Sequence, residues 1–459
     1  MIADHQSTDD KAGFGLSTAT FVVVASMVGT GILTTSGFTI VSVGSHQWAL
    51  LLWIIGGILA ICGALAQSEL ACRVPITGGD YMILNKAFGP LPGFLTGWIA
   101  AVLGFAGPIA ASSKAASAYF FKTILPPGQE PGFYRVAIVA TLLTVAMAWV
   151  HSKSHHRSSL TQNTVTIIKI GFLLLFTTLA LVPGLQQLPI PKDFPLKING
   201  ELVIESLTSL IYISYAYTGW NVVGFIAGEV RRPQRNLPLS IIIGTLFVTS
   251  LYIGMNLVYS LAISVEELKI IRDTKGFDAL APIAEISATK LFGDIFGRSL
   301  SLIVALMLVS SVSAYILTGP RIIMAMANQG HFFKWAAKAN STGVPSRATW
   351  LQAALALLFI WSSSLEGIIV VSSLGLGLFS ILGISSIFVF RNRDRSGEYQ
   401  GFRCPGYPLV PLIYVIGTLL LTVVTIYNKP YDGAASLLLI LFGIITYYAM
   451  KFVTPRQTA

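Results

Sequence analysis

The sequence predicts an all-α polytopic membrane protein, and three observations carry that reading. Of its 459 residues, 54% are hydrophobic and only 11% are charged, against about 25% charged in an average soluble domain; the mean hydropathy is +0.73. Apolar runs recur along the whole length, each near the ~20 residues that cross a bilayer. The basic residues fall between those runs, where they set topology, so the net charge of +10 does not point to a nucleic-acid partner.

Twelve runs are legible, at about 14–43, 47–72, 87–121, 133–151, 160–184, 204–229, 237–264, 295–320, 347–364, 367–390, 408–428 and 432–451. The first has no Asp, Glu, Lys or Arg from Phe14 to Ser68 and carries Gly29-Thr30-Gly31 at its centre. Two glycines one residue apart are poor helix formers and free the backbone to unwind. Unwound backbone at membrane depth survives only where it is buried in protein or lines a cavity. Gly29, Thr30 and Gly31 are therefore expected to break span 1 at a binding site, the plain alternative being close helix packing.

Span 2 runs into Glu69 through Tyr81, where Pro75 stops the helix and Gly78-Gly79 permits a tight turn. Span 3 carries Lys114 toward its outer end, near Lys122, where a lysine snorkels to the interface. Span 4 leads to His151, His155 and His156. With Lys153 and Arg157 among them and no carboxylate or cysteine nearby, these read as a solvated cytoplasmic loop and not as a metal site. His46 and His331 read as lone loop histidines. Span 5 holds Lys169, the only charge between Arg157 and Lys192.

Span 6 is apolar overall, but its centre reads Tyr215-Ala216-Tyr217-Thr218-Gly219-Trp220-Asn221. Hydroxyls and amides there turn toward protein or water, not lipid. This second interruption comes five spans after the first, and paired interruptions point to a transporter site built from inverted repeats. Residues 14–203 (spans 1–5) and 204–390 (spans 6–10) would be the repeats, residues 391–451 the added spans 11 and 12, and 1–13 and 452–459 the tails. Half-helix N-termini offer N–H groups to an anion and half-helix C-termini offer carbonyls to a cation. A zwitterion such as an amino acid satisfies both.

Beyond span 6, the stretch 265–294 is the longest outer connection, and its apolar run at 279–288 is expected to form a short helix on the surface. The stretch 321–346 is the longest inner one. Most of the 30 basic residues fall inside if the N-terminus is cytoplasmic, led by Arg231, Arg232 and Arg235 after span 6 and Arg391, Arg393 and Arg395 after span 10. Both termini are expected in the cytoplasm of a cell-membrane protein. No removable signal peptide and no structural disulfide among Cys62, Cys72 and Cys404 are expected. Hydrolase and nucleotide-binding motifs are absent from the sequence, so neither an enzyme nor an ATP-driven pump is expected, nor any cofactor or metal.

A charge deep in a span is costly and marks function by default. Lys169 sits about ten residues into its span, too deep for snorkelling.

These residues together resemble the amino acid–polyamine–organocation transporter superfamily, most closely its L-type amino acid transporter branch and bacterial relatives. The carriers are Gly29 through Ile32, Glu69 through Tyr81, Ala87 through Trp98, Tyr215 through Asn221, Glu229 with Pro233 and Arg235 through Pro238, and Arg321 through Gly330. The resemblance implies a 12-helix, 5+5 inverted-repeat fold with broken helices 1 and 6 plus helices 11 and 12. It implies a substrate site at Gly29, Thr30, Gly31, Ile32, Tyr215, Ala216, Thr218, Gly219 and Asn221. Thr30 stands where the family usually has serine. Tyr215 takes the place of an aromatic outer gate, and Asn221 either sits near the substrate or holds the span 6 break.

Lys169 resembles a lysine that occupies the sodium position of sodium-coupled relatives. Its ammonium is then expected against the carbonyls of Ala25 and Val28 and a hydroxyl of Ser311 or Ser313, either carrying a proton or serving as a fixed strut. The loop between spans 3 and 4 lacks the cysteine that links animal members to a heavy chain, so no disulfide-linked subunit is expected.

The resulting expectation is a secondary transporter of amino acids, with membrane lipid around it and protons as a potential second ligand. Uncharged substrates are favoured because Glu69, Glu205 and Glu229 lie at span ends. A cationic amino acid or polyamine carrier of the same fold, and an amino-acid receptor that does not transport, are the alternatives.

Overall fold

The computed structural model describes residues 13–453 apart from 127–128, 130, 188–192, 194, 196–197, 281, 363–364 and 395–396. Most of the two tails, Arg395 and the side chains of Thr30, His155 and His156 lie outside the described residues. Everything regular is helical; the only bridge among the described residues is a parallel pair, Phe14 with Val230.

Span 1 is two helices, α1 (Leu16–Met27) and α2 (Thr30–Val43). Then come α3 (His46–Arg73), the short α4 (Asp80–Phe88), and α5 (Pro90–Ile99), which continues as a π-helical turn, Ala100–Ala106, into α6 (Gly107–Ile124). Spans 4 and 5 are α7 (Phe133–His151) and α8 (His155–Gln187). Span 6 is α9 (Gly200–Ala216), a turn, and a 3-10 helix, Val222–Glu229. Next are α10 (Pro233–Ala262), α11 (Val265–Lys275), α12 (Ile283–Phe292) and α13 (Asp294–Asn328). The chain ends with α14 (Ser346–Ser362), α15 (Leu365–Arg393), α16 (Leu409–Asn428) and α17 (Pro430–Val453).

Ten stretches among the described residues are long and apolar enough to cross a membrane, which makes this a multi-pass membrane protein. Two expected spans are not among them. Helices α9 and α14 have 17 residues each, about 26 Å at 1.5 Å per residue, and span 6 gains its remaining length only as a 3-10 helix.

The stretch 265–294, where one short surface helix is expected, holds two α-helices. Helix α11 opens with a capping box between Ser264 and Glu267, and α12 is partly sunk, with Ile283, Ala284, Ser287 and Ala288 buried. The inner connection is shorter than expected, because α13 runs on to Asn328 despite Pro320.

Sequence explains the local breaks. Helix α3 stops at Arg73, two residues before Pro75, and the chain turns at Gly78 (φ 125°) and Gly79 (φ 53°), a region open to glycine. In span 3, Pro108 has no N–H to give the Gly104 carbonyl, so a regular α ladder is excluded there, and the π turn absorbs the defect. Gln352 Nε2 donates to Ala101 O at 2.8 Å, supplying one carbonyl of that turn.

Ion pairs fasten one end of the bundle. Glu69 is fully buried and accepts from Arg73 Nε (2.9 Å), Arg391 Nη2 (2.7 Å) and the Cys404 N–H (2.7 Å). Arg321 donates to both oxygens of Glu229 at 2.7 and 2.8 Å. Phe14 exchanges backbone bonds with Glu229 and Arg231, so the start of span 1, the end of span 6 and span 8 form one unit. Removing one partner from a buried cluster strands the others. Glu69→Gln is expected to cost about 3–5 kcal/mol, read as a lowered unfolding temperature in detergent.

Candidate functional site

The break in span 1 lies one residue earlier than the glycine pair implies. The unwound residues are Val28 and Gly29, and helix resumes at Thr30. Thr30, Gly31 and Ile32 therefore form the first turn of α2, whose backbone N–H groups have no intrahelical acceptor. Gly29 provides no side-chain cap. These donors and the positive end of the helix dipole suit an anion.

The second break packs directly on the first. A Cβ built on Gly31 would lie 2.4 Å from Ala216 Cα, and one on Gly219 would lie 2.8 Å from the Ser26 carbonyl carbon. Gly219 also has φ 110°. Both glycines are dictated by backbone-to-backbone approach.

Ending α1 in the membrane leaves its last carbonyls without N–H partners, and distant side chains supply them. Tyr315 donates to Ser26 O at 2.6 Å. The Tyr252 hydroxyl lies 2.6 Å from Met27 O and 3.0 Å from Ala216 O, one donor shared between the two breaks. Ser311 donates to Val28 O at 2.9 Å. Lys169, 1% exposed, donates to Ala25 O at 3.2 Å and to Ser311 Oγ at 2.8 Å.

Lys169 thus meets Ala25 directly and Val28 through Ser311. Among the described residues no carboxylate pairs with it; the carbonyl end of α1 provides the negative potential. Ser313, the other hydroxyl expected near the lysine, instead meets His151 Nε2 at 2.8 Å.

A cavity of about 120 Å³ adjoins the span 6 break, close to the ~150 Å³ that holds a benzene ring. Its wall includes Thr218, Gly219 and Asn221, the π turn at Ala100 and Gly104, and the acid Asp80. Gly29, Gly31, Ile32, Tyr215 and Ala216 do not line it. Tyr215 is buried in a cluster with Val370 and Leu374 of α15. Thr218 turns its hydroxyl back onto Tyr215 O at 2.7 Å. Asn221 donates to Asp80 Oδ2 at 2.8 Å, so in this structure it holds the break to α4.

His151 and His46 differ from their sequence reading. His151 is buried at the end of α7, not solvated. His46 is buried as the first residue of α3, and His331 meets the Tyr81 hydroxyl at 2.8 Å. Lys114 is half-buried, 5.4 Å from the Phe133 ring centre. Tyr252, Tyr315, Asp80 and the π turn were not singled out. Hydroxyls in the middle of spans 7 and 8 and the Gly104–Pro108 spacing are the signals that mark them.

A multi-pass bundle with two broken helices set against each other has the architecture of a secondary transporter. The chain belongs to the amino acid permease family, whose model matches residues 14–450. It is 26% identical to the serine/threonine exchanger SteT of Bacillus subtilis (strain 168) over 450 residues, 96% of this chain and 97% of the relative. It is 28% identical to the human large neutral amino acids transporter small subunit 2 over 460 residues, 95% of this chain and 80% of the relative. The human cystine/glutamate transporter is 24% identical over 434 residues, 93% of this chain and 83% of that protein. The protein is accordingly an amino acid transporter and not an enzyme.

Gly31→Ala and Gly219→Ala are expected to force the two breaks apart, with a backbone strain of about 1–3 kcal/mol at the positive φ of Gly219. Loss of labelled amino-acid binding with retained expression, measured on purified protein, checks this.

Proposed function

We propose that the protein moves amino acids across the cell membrane by alternating access, with uncharged side chains preferred. The reading takes the chain as twelve spans, with residues 14–203 and 204–390 as inverted repeats, spans 11 and 12 added, and both termini in the cytoplasm. The observation that carries it is the meeting of the two breaks, where unspent N–H groups of Thr30, Gly31 and Ile32 stand beside the carbonyl end of α1. The substrate carboxylate is assigned to those N–H groups. Its ammonium is assigned to the break carbonyls of Ser26, Met27 and Ala216, each of which keeps a second lone pair beside its tyrosine bond.

Tyr215 is assigned to the outer gate, and Thr218, Gly219 and Asn221 to the wall beside the substrate side chain. The named substrates of the serine/threonine and large neutral relatives support uncharged side chains here.

Lys169 is assigned the role of a fixed strut. Its Nζ donates to both of its neighbours, and Ser311 relays that donation to Val28. A built-in cation at the end of α1 stands where a coupling metal ion would, which argues against sodium symport.

Reconstitution in liposomes tests the reading. Labelled uncharged amino acid is expected to enter, faster when the lumen is preloaded with unlabelled amino acid. Tight binding without uptake would make the protein a receptor. Lys169→Ala removes the donor to Ser311 and leaves Ala25 O with only the longer Ser311 bond, at about 1–3 kcal/mol, so uptake is expected to fall roughly 5- to 150-fold.

A further inference from the structure

Asp80 is the first residue of α4, on the loop between spans 2 and 3. It is 8% exposed and forms part of the wall of the cavity at the span 6 break. Its Oδ1 accepts from Gln67 Nε2 at 2.7 Å and its Oδ2 from Asn221 Nδ2 at 2.8 Å. Both donors are neutral amides, and among the described residues no lysine or arginine pairs with it.

The nearby cations are committed elsewhere. Arg73 and Arg391 serve Glu69, and Arg321 serves Glu229. Arg393 of α15 donates to Lys86 O and Ala87 O at the opposite end of α4. On α16, the titratable neighbour is Tyr414, whose hydroxyl donates to Ser380 at 2.9 Å. The adjacent Tyr81 is engaged with His331.

A buried carboxylate without a cation is costly unless it takes a proton. Burial pushes the Asp80 carboxyl above its ordinary range, opposed by the two amide bonds. The first-turn position on α4 gives only a modest compensating field.

We propose that Asp80 is a proton-binding site of the transport cycle, loaded from the cavity and separate from Lys169. Its coupling runs through one hydrogen bond. With Asp80 ionised, Asn221 donates to Oδ2. A proton on Oδ2 makes that atom a donor and a weaker acceptor, which weakens the Asn221 bond and favours a flipped amide that accepts from the new O–H. Asn221 stands two residues beyond Gly219, a span of at most ~7 Å of backbone, so proton occupancy acts on the break that lies against Ser26. The proton enters and leaves as such; no other bond changes. This rests on the transporter reading.

The test is uptake by liposomes holding the full chain, at pH values from 5 to 8, with and without an inward proton gradient. Wild type is expected to slow by up to about tenfold per pH unit above the apparent pKa and to speed up under the gradient. Asp80→Asn, fixed as the uncharged form, is expected to keep the acid-side rate at every pH and to ignore the gradient. Asp80→Glu, which keeps a titrating carboxyl, is expected to restore the pH dependence.

Wild-type uptake without pH or gradient dependence would overturn the proposal alone, as would Asp80→Asn following the wild-type profile. Inactivity of both variants would reduce Asp80 to a structural tie. If Asp80→Asn lost only lysine or arginine uptake, the carboxylate would be a contact for the substrate side chain and the proton proposal would fall. Absence of any wild-type uptake despite binding would instead sink the transporter reading on which it rests.

Discussion

The constraint on which the rest of the structure depends is the carbonyl end of α1. A helix that stops in the middle of a membrane exposes backbone oxygens where no bulk water can satisfy them. Four successive carbonyls, Ala25 through Val28, receive donors from Lys169, Tyr315, Tyr252 and Ser311. Those donors come from spans 5, 7 and 8, so four spans must be in register before the break is tolerable. The free N–H groups of α2 then remain as the unspent half of the broken helix. The proposed binding site is what is left once the carbonyl half has been satisfied.

The same accounting ties the two breaks together. Tyr252 reaches Met27 O and Ala216 O with one hydroxyl, and Gly31 and Gly219 remove the side chains that would hold the backbones apart. Toward the other end, Phe14 pairs with the backbone on either side of Val230 while Glu229 holds Arg321. Span 1 is therefore fixed to span 6 at two levels, and to span 8 directly at the break and through Glu229 at the other. Under the alternating-access proposal, movement of span 1 against span 6 would release one level while keeping the other, a hydrogen-bonded basis for discrete states in place of continuous flexing.

How much of this was legible follows from the range of each interaction. The Gly29–Gly31 pair, the polar centre of span 6 and the depth of Lys169 are local signals, and each lies at the centre of the site. Their partners are not local. Tyr252 is 225 residues from Met27, and Tyr315 is 289 residues from Ser26; in the sequence each is one more aromatic in an apolar run. His151 read as solvated because its neighbours Lys153 and Arg157 are polar, yet it ends a helix one turn inside, against Ser313. Asp80 read as loop chemistry because Gly78-Gly79 dominates its surroundings. Only the fold brings that loop back under span 6. The position of the span 1 break shifted by one residue because glycine tendencies do not say which glycine will be the cap and which will enter the next helix.

The separation of Lys169 from Asp80 has a consequence for coupling. As the strut proposed above, Lys169 holds the end of α1 through Ala25 O and Ser311 and would contribute little to the difference between states. A ligand shifts a conformational equilibrium only by its differential affinity for the two forms. On the proton proposal, the group that responds to a gradient is one whose partners change, and Asn221, two residues after Gly219, is a partner of Asp80. On this argument the fixed cation accounts for the broken helix being stable without a metal ion. The buried acid on the opposite side of the span 6 break is where an external driving force would act.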